Sequence, residues 1–458
     1  MVKEQTGKTD SSSCVKCGKC QTVCPIYSVR PEESSAARGK LALSEAVAQG
    51  HLDESKVYRD YLETCLLCGA CEENCPNEVK TLSAMLGARR ALADNARTKV
   101  AKRAILKQVV GAPRLLDLGM RIGRAFMGLV FRRIPSDSGV RRRIPLPLIT
   151  GDRTLPNLAP AFFTDRFSGQ VVEGAGPRVG IFAGCMTNYF YPKTGETMVD
   201  LLKGLGASVY VPKDQVCCGM PALTGGERET VRKLARRNLE AFEKYQLDVI
   251  VTGCASCGGN LKENYGEFLR EGGIDERRIE KFISSILDIN EYIYKYGEAG
   301  SPVRCEGKER AIQPGTRVTY HHPCHLGRVQ GITEEPVELI RSLPGIEYIP
   351  LEDGQRCCGM GGSFSLEHYD ISKKVNDQKV ARILETGADI VVTSCPACIM
   401  HIQDGLVRNG RDDIEVMHIT ELLKGYECVE QNAEESAAAA GRGDGDRQST
   451  DLKAQVSG

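Results

Sequence analysis

Eighteen of the 20 cysteines in this 458-residue chain fall into four sets, and the sets form two pairs of repeats. The first pair is Cys14-x2-Cys17-x2-Cys20-x3-Cys24-Pro25 and Cys65-x2-Cys68-x2-Cys71-x3-Cys75-Pro76. The second pair joins a single cysteine, a Cys-Cys-Gly triplet and a CxxC: Cys185, Cys217, Cys218, Cys254 and Cys257, then Cys324, Cys357, Cys358, Cys395 and Cys398. Cys305 and Cys428 stand outside the pattern and read as incidental thiols. Thiolates are soft ligands that select iron–sulfur clusters, zinc or cuprous copper, so the pattern belongs to metal-loaded, electron-handling chemistry.

The C-x2-C-x2-C-x3-C-P run is the bacterial ferredoxin signature, and here it occurs twice. Its two-residue spacers let three thiolates wrap one corner of a cubane. The fourth cysteine is carried off by the turn its proline fixes and in two-cluster ferredoxins ligates the other cubane. Cys14, Cys17, Cys20 and Cys75 are therefore assigned to one 4Fe–4S cluster, and Cys65, Cys68, Cys71 and Cys24 to the other. Zinc sites usually come as separated CxxC pairs, whereas four cysteines within eleven residues, twice over, suit cubanes. Gly18, Gly69 and Ala70 leave room for backbone N–H groups near the ligands.

In the second pair, Cys185 to Cys217 is 32 positions and Cys324 to Cys357 is 33; Cys218 to Cys254 is 36 and Cys358 to Cys395 is 37. Each repeat closes on a β-branched run (Asp248–Thr252; Asp389–Thr393) that leads into its CxxC. Five thiolates converging on one point exceed the four of a zinc tetrahedron. A thiol–disulfide enzyme would need a CxxC at a helix start but not the Cys-Cys pair twice. Gly219 and Gly359 follow the pairs, where a bulky side chain would block backbone approach.

The elements that must position these thiols are legible. Residues 32–61 are rich in Ala, Leu, Glu and Arg and predict two helices broken near Gly50, with Asp53 capping the second. Arg38 in this insertion reads as packing against cluster-side backbone or as a solvated side chain. In the repeats a strand precedes each single cysteine (from Val179; from Val318). A helix and a short strand follow (208–211; 347–350), then a long charged helix (227–245; 366–386) and the closing strand. Strands alternating with helices predict α/β units on a mainly parallel sheet, which binds ligands outside the carboxyl ends of its strands.

Sixty basic and 60 acidic residues cancel, which points away from nucleic acid. The polar start of the chain lacks the apolar region of a secretory signal, and no apolar run reaches 18 residues. Abundant cysteine without export predicts a reducing cytoplasm. Gly174-Ala-Gly176 precedes its strand, so it fits no dinucleotide-binding fingerprint, and any flavin is expected on another chain. Lys99–Arg143 carries twelve basic residues against Asp117 and Asp137. Within it, 115–134 has the make-up of an interfacial helix able to sit on an anionic inner leaflet. The favoured alternative is a linker helix packed across the protein with snorkelling arginines.

The stretches Gly184-Cys185-Met186, Cys217-Cys218-Gly219-Met220-Pro221, His322-Pro323-Cys324-His325-Leu326 and Cys357-Cys358-Gly359-Met360-Gly361-Gly362 make the chain resemble the CCG (cysteine-rich) domain iron–sulfur family. That family includes heterodisulfide reductase subunits and the iron–sulfur subunits of glycolate oxidase, lactate-utilisation systems and anaerobic glycerol-3-phosphate dehydrogenase. The likeness covers roughly residues 10–425. It implies a non-cubane 4Fe–4S cluster at one or both five-cysteine sets. It also implies an FAD-binding dehydrogenase partner and electron delivery toward quinone or another carrier. The chain itself would then be one subunit of an oxidoreductase complex with no catalytic residue of its own. Reduction of a disulfide at the CCG clusters is the alternative. The short lactate-utilisation proteins lack a ferredoxin module, and glycolate-oxidase subunits often have an incomplete CCG set, whereas both sets here are full.

The expected fold is α+β and multidomain: an α-helical two-cluster ferredoxin module (1–97), a basic helical linker (98–176), two pseudo-symmetric α/β CCG domains (177–300 and 301–427) and a disordered tail (428–458). His321, His322 and His325 flank Cys324, with His325 the best placed to tune a cluster or relay a proton. Localisation is expected in the cytoplasm, with peripheral contact at the inner face of the membrane.

Overall fold

A computed structural model describes residues 13–94, 111–134, 138–146, 149–297 and 312–425. Cys305, Cys428 and the tail lie outside the described residues.

The amino-terminal module is all helix. Each ferredoxin run turns through a left-handed glycine, Gly18 at φ 84° and Gly69 at φ 76°, and starts a short helix there (Lys19–Val23 and Ala70–Glu73). Glycine takes this backbone conformation without the Cβ clash other residues meet. The insertion forms two helices, Ala37–Ala48 and Lys56–Glu63, parted at Gly50. The second is capped by Ser55, whose hydroxyl accepts from the Tyr58 N–H at 3.1 Å. Asp53 does not cap it, because the loop runs two residues further before the helix begins. With Thr81–Asp94 these helices bury Leu41, Tyr58, Leu62, Leu67, Met85 and Leu92.

The described part of the linker holds the helix Pro113–Val130, followed by an antiparallel hairpin of β1 (Phe131–Arg133) and β2 (Val140–Arg142). The helix packs by Leu116 and Met120 against Ala159, Phe162 and Tyr189. Arg121 and Arg124 lie over the Phe162 ring on that same side, and Arg121 pairs with Asp165 at 2.7 Å. This reverses the snorkelling arrangement: the arginines face the protein, while Leu115, Leu118, Ile122, Phe126 and Leu129 are exposed. Further on, the buried Arg153 side chain bonds Ser365, and Thr154 N–H donates to Asp404 at 2.7 Å, so the linker is strapped to the second repeat.

Each repeat is a parallel α/β sheet. The first has β3 (Gly169–Val172), β4 (Arg178–Phe182), β5 (Ser208–Val211), β6 (Val249–Thr252) and β7 (Ile286–Asp288) in the order β3-β5-β4-β6-β7, antiparallel only at β3. The second has β8 (Arg317–His321), β9 (Glu347–Tyr348), β10 (Ile390–Thr393) and β11 (Glu415–His418) in the order β11-β10-β8-β9, all parallel. β6 and β10 are apolar β-branched runs buried on both faces, as parallel strands between helical layers must be. The first charged helix runs Arg228–Glu243; the second is broken at His368 into Phe364–Glu367 and Tyr369–Thr386. One apolar cluster, from Phe182 and Leu239 to Val391 and Ile402, is shared by both repeats.

Candidate metal centres

The thiols gather in four places. Cys14, Cys17, Cys20 and Cys75 line one cavity with Gly18 and Arg38. Arg38 donates to the Lys16 carbonyl at 2.8 Å and to Glu33 at 2.7 Å, bracing the turn between Cys14 and Cys17. Cys24, Cys65 and Cys68 line a second cavity with Lys40, and Cys71 borders both. The fourth cysteine of each run thus lies with the first three of the other. Burial pushes the Cys24 thiol up to about 12, with Cys68 and Cys65 as its charged neighbours.

The five-thiol sets form at the carboxyl ends of the parallel strands. In the first repeat Cys185 and Cys217 Sγ are 3.9 Å apart, and Cys218, Cys254 and Cys257 share one buried cluster. In the second, Cys358 and Cys398 Sγ are 3.5 Å apart, and Cys324 packs against the cluster that holds Cys357. Gly219 at φ 85° and Gly359 at φ 94° each donate a backbone N–H to the preceding thiol, Cys217 or Cys357, at 3.4 Å. Gly184, at φ 65°, lies so close that a Cβ there would stand 3.0 Å from Cys257 Sγ.

Two contacts link the sets. Cys68 packs beside Cys357, joining the amino-terminal module to the second repeat, and Cys254 packs beside Cys395 between the repeats. Ser256 Oγ adds a 3.7 Å contact to Cys395 Sγ. At the far end, Cys185 and Cys217 line a cavity of about 340 Å³ together with Arg114, Arg121, Asn188, Lys213, Gln215 and Arg237.

The donor set fits iron–sulfur groups. All 18 patterned cysteines are free thiols, half of them buried. Five at one point are more than a zinc tetrahedron uses, and backbone N–H groups are aimed at the sulfurs as donors. Burial and mutual repulsion hold most of these thiols above their ordinary range, so filling a site displaces protons.

The histidines divide differently from expectation. His325 takes a backbone partner, its Nε2 meeting the Leu67 carbonyl at 3.1 Å, and so pins the second repeat to the amino-terminal module. His322 packs edge-on to Tyr320 at 4.7 Å, and burial lowers it to about 4. His321 is the one whose ring nitrogen approaches Cys358 and Cys398.

Two buried lysines beside the thiols belong to no motif. Lys379 is fully buried near Cys357 and Cys358, its Nζ donating to the Asp353 carbonyl at 2.6 Å; Lys40 stands near Cys24 and Cys65. Burial lowers both to about 8, opposed by the neighbouring thiolates. The sequence signal for Lys379 is its place in the i, i+4 row Val375–Lys379–Ile383, a cation in a core stripe.

Residues 179–262 and 318–403 match the family model of the CCG cysteine-rich domain, and residues 10–79 match the 4Fe–4S dicluster domain. The chain is 28% identical over 430 residues to the "Probable glycolate oxidase iron-sulfur subunit" of Bacillus subtilis, covering 92% of this chain and 95% of that one. It is 29% identical over 416 residues to one of the subunits of the "Fumarate reductase (CoM/CoB)" of Methanothermobacter marburgensis, covering 90% and 71%. It is 33% identical over 252 residues to "Lactate utilization protein A" of Shouchella clausii, covering 54% of this chain and 99% of that one. Family-model matches over both modules, with a relative 33% identical and covered over 99% of its length, place this chain in the CCG-domain family of iron–sulfur oxidoreductase subunits.

Proposed function

We propose that this chain is the electron-transfer subunit of a flavin-linked 2-hydroxy-acid dehydrogenase of the glycolate or lactate type. It takes electrons from an FAD-binding partner subunit and passes them toward quinone or another carrier. Two 4Fe–4S cubanes, at Cys14/Cys17/Cys20/Cys75 and Cys65/Cys68/Cys71/Cys24, and a non-cubane 4Fe–4S cluster at one or both CCG sets would supply the one-electron carriers.

The observation that carries this reading is the unbroken succession of thiol sets. Contacts at Cys68–Cys357 and Cys254–Cys395 leave no protein layer between the module and the far repeat. Such closeness is what a conduit requires and a structural metal site does not. The chain's own residues hold and insulate the carriers: Gly219 and Gly359 aim N–H donors at sulfur, and Lys40 and Lys379 set buried positive charge beside the thiolates. The exposed apolar stripe from Leu115 to Leu129, near the exposed Arg132 and Arg133, suits peripheral contact with an anionic inner leaflet, where a quinone acceptor resides.

A second reading has its own support. The cavity beside Cys185 and Cys217 is large enough for a small molecule, which favours reduction of a thiol-derived disulfide there. Anaerobic purification of the tagged chain from its native host distinguishes the two. A co-purifying flavoprotein, with bleaching of visible absorption by D-lactate, L-lactate, glycolate or glycerol 3-phosphate, establishes the conduit. Absence of flavin and of bleaching, with reoxidation by a disulfide, establishes the reductase.

A further inference from the structure

The two CCG repeats superimpose in sequence, yet they differ at one position that faces the thiols. β4 ends at Phe182 and β8 at His321, each three residues before the single cysteine of its set. Their register is the same: Phe182 pairs with Thr252 on β6, and His321 with Thr393 on β10. In the first repeat the position is filled by a hydrocarbon ring stacked on Phe242 at 5.8 Å. In the second it is an imidazole with 0% exposure.

Neither ring nitrogen of His321 makes a hydrogen bond. The carbonyl of Gly354 lies near enough to pull on the ring without forming a bond of normal geometry. A buried imidazole needs a donor partner and an acceptor partner, and leaving both unmet carries the full desolvation penalty of two polar atoms. One group at this place could meet the need. A ring nitrogen of His321 and the thiols of Cys358 and Cys398 all lie within 4.8 Å of one another, at a spacing suited to a shared metal centre. A histidine in that role characteristically turns its other nitrogen toward a backbone carbonyl.

We infer that His321 is a nitrogen partner of the iron–sulfur group held by Cys324, Cys357, Cys358, Cys395 and Cys398, contacting that group directly through its ring. The first set, with Phe182 at the same place, has no such partner, so the two CCG sites are chemically distinct. Imidazole at an iron–sulfur centre raises its reduction potential relative to thiolate alone. The second site is therefore the better electron acceptor of the two for a given cluster type. The inference rests on the reading that the second thiol set holds an iron–sulfur group.

The test uses the full chain, purified anaerobically with its native metal content and labelled with 15N-histidine. Pulsed EPR of the reduced protein is expected to show a histidine nitrogen coupled to one paramagnetic centre. In His321→Phe, which installs the residue of the first repeat, the coupling is lost and the midpoint potential of that centre falls. The cubane signals and the iron content stay as in the wild type. A strong coupling identifies nitrogen on iron and a weak one an N–H on sulfur; both are direct contact. Absence of any histidine coupling in the wild type overturns the inference. So does a coupling that survives His321→Phe, which would assign it to another histidine. An unshifted potential does the same. Should the phenylalanine variant lose iron, His321→Gln keeps a buried polar group and makes the same predictions for coupling and potential. Failure of the underlying reading looks different: Cys358→Ser would leave iron content unchanged.

Discussion

Cys68 of the amino-terminal module and Cys357 of the second repeat pack into one buried cluster, across 289 positions of sequence. The contact is held in place from both sides. His325 meets the Leu67 carbonyl, and Arg328 pairs with Glu73 at 2.8 Å and packs over Gly69. Both residues sit on the helix Cys324–Gln330, which starts at a thiol of the second set. The element that presents a sulfur is thus also the element that docks the module, and the spacing between sets is fixed by packing rather than by the linker.

If each five-thiol set holds its own group, the sets should fail one at a time. Cys217→Ser is expected to remove one cluster's iron, about four atoms, and leave the cubane signals intact; Cys357→Ser should do the same for the other repeat. Iron analysis and EPR of the two variants decide it. Iron content equal to that of the wild type would refute the assignment.

Arg89 welds the module to the first repeat. Its buried guanidinium donates to the carbonyls of Leu62, Glu63 and Cys65, at 2.6 to 3.1 Å, and to that of Thr224 at 3.1 Å, at the end of the helix Met220–Thr224. Arg89→Ala strands those carbonyls and is expected to cost about 2–4 kcal/mol. Urea unfolding should show the early loss of the cubane at Cys65. A midpoint unchanged within error would mean water replaces the guanidinium freely.

Gly219 and Gly359 share a conformation but not a neighbourhood. An alanine Cβ at 359 would stand 2.8 Å from the Ser372 carbonyl, whereas at 219 it meets the Leu234 side chain at 3.3 Å. Both variants lose about 1–2 kcal/mol to the left-handed backbone. Only Gly359→Ala adds a clash with main chain, so its thermal midpoint should fall further. Equal losses would show that the second loop yields.

The sequence made the thiol inventory and the α/β repeats legible because both are local: ligand spacing is counted along the chain, and β6 and β10 are continuous β-branched runs. The crossed grouping of the two ferredoxin runs was legible for a related reason, since each proline turns its cysteine away. Which side chain meets which set across the fold was not. His325 and His321 flank the same cysteine, and only the docking of Leu67 against the second repeat gives one ring a backbone carbonyl and leaves the other among thiols. The linker helix misled for a similar reason. Its arginines found Phe162 and Asp165, partners from a later segment, and took the inner face that composition had assigned to leucine.

That inverted helix should bind membrane. Leu129 is 71% exposed and Phe126 55%. Replacing both, as Phe126→Ser with Leu129→Ser, is expected to reduce co-sedimentation with anionic phospholipid vesicles by roughly tenfold while leaving iron content alone. Wild-type protein that stays in the supernatant at low salt would end the membrane reading and leave the stripe to a protein partner.

Asp288 gives the fold a pH dependence of its own. It caps the helix Ile289–Tyr296 through a reciprocal pair with Glu291, yet it is fully buried and its Oδ2 has no partner. Burial raises its carboxyl from 3.8 to about 7. The folded state therefore holds a proton that the unfolded chain releases. The stability this contributes is complete below the unfolded value and is lost as pH rises through about 7. Asn caps as well as Asp and carries no charge, so Asp288→Asn should be indifferent to this titration. Between pH 5.5 and 8 the wild type should lose on the order of 1–2 kcal/mol relative to the variant. Thermal midpoints of the two proteins across that interval measure the difference. Parallel curves would mean that Asp288 stays ionised in the fold, with Lys262, which pairs with Glu291 at 2.7 Å, supplying the compensating charge.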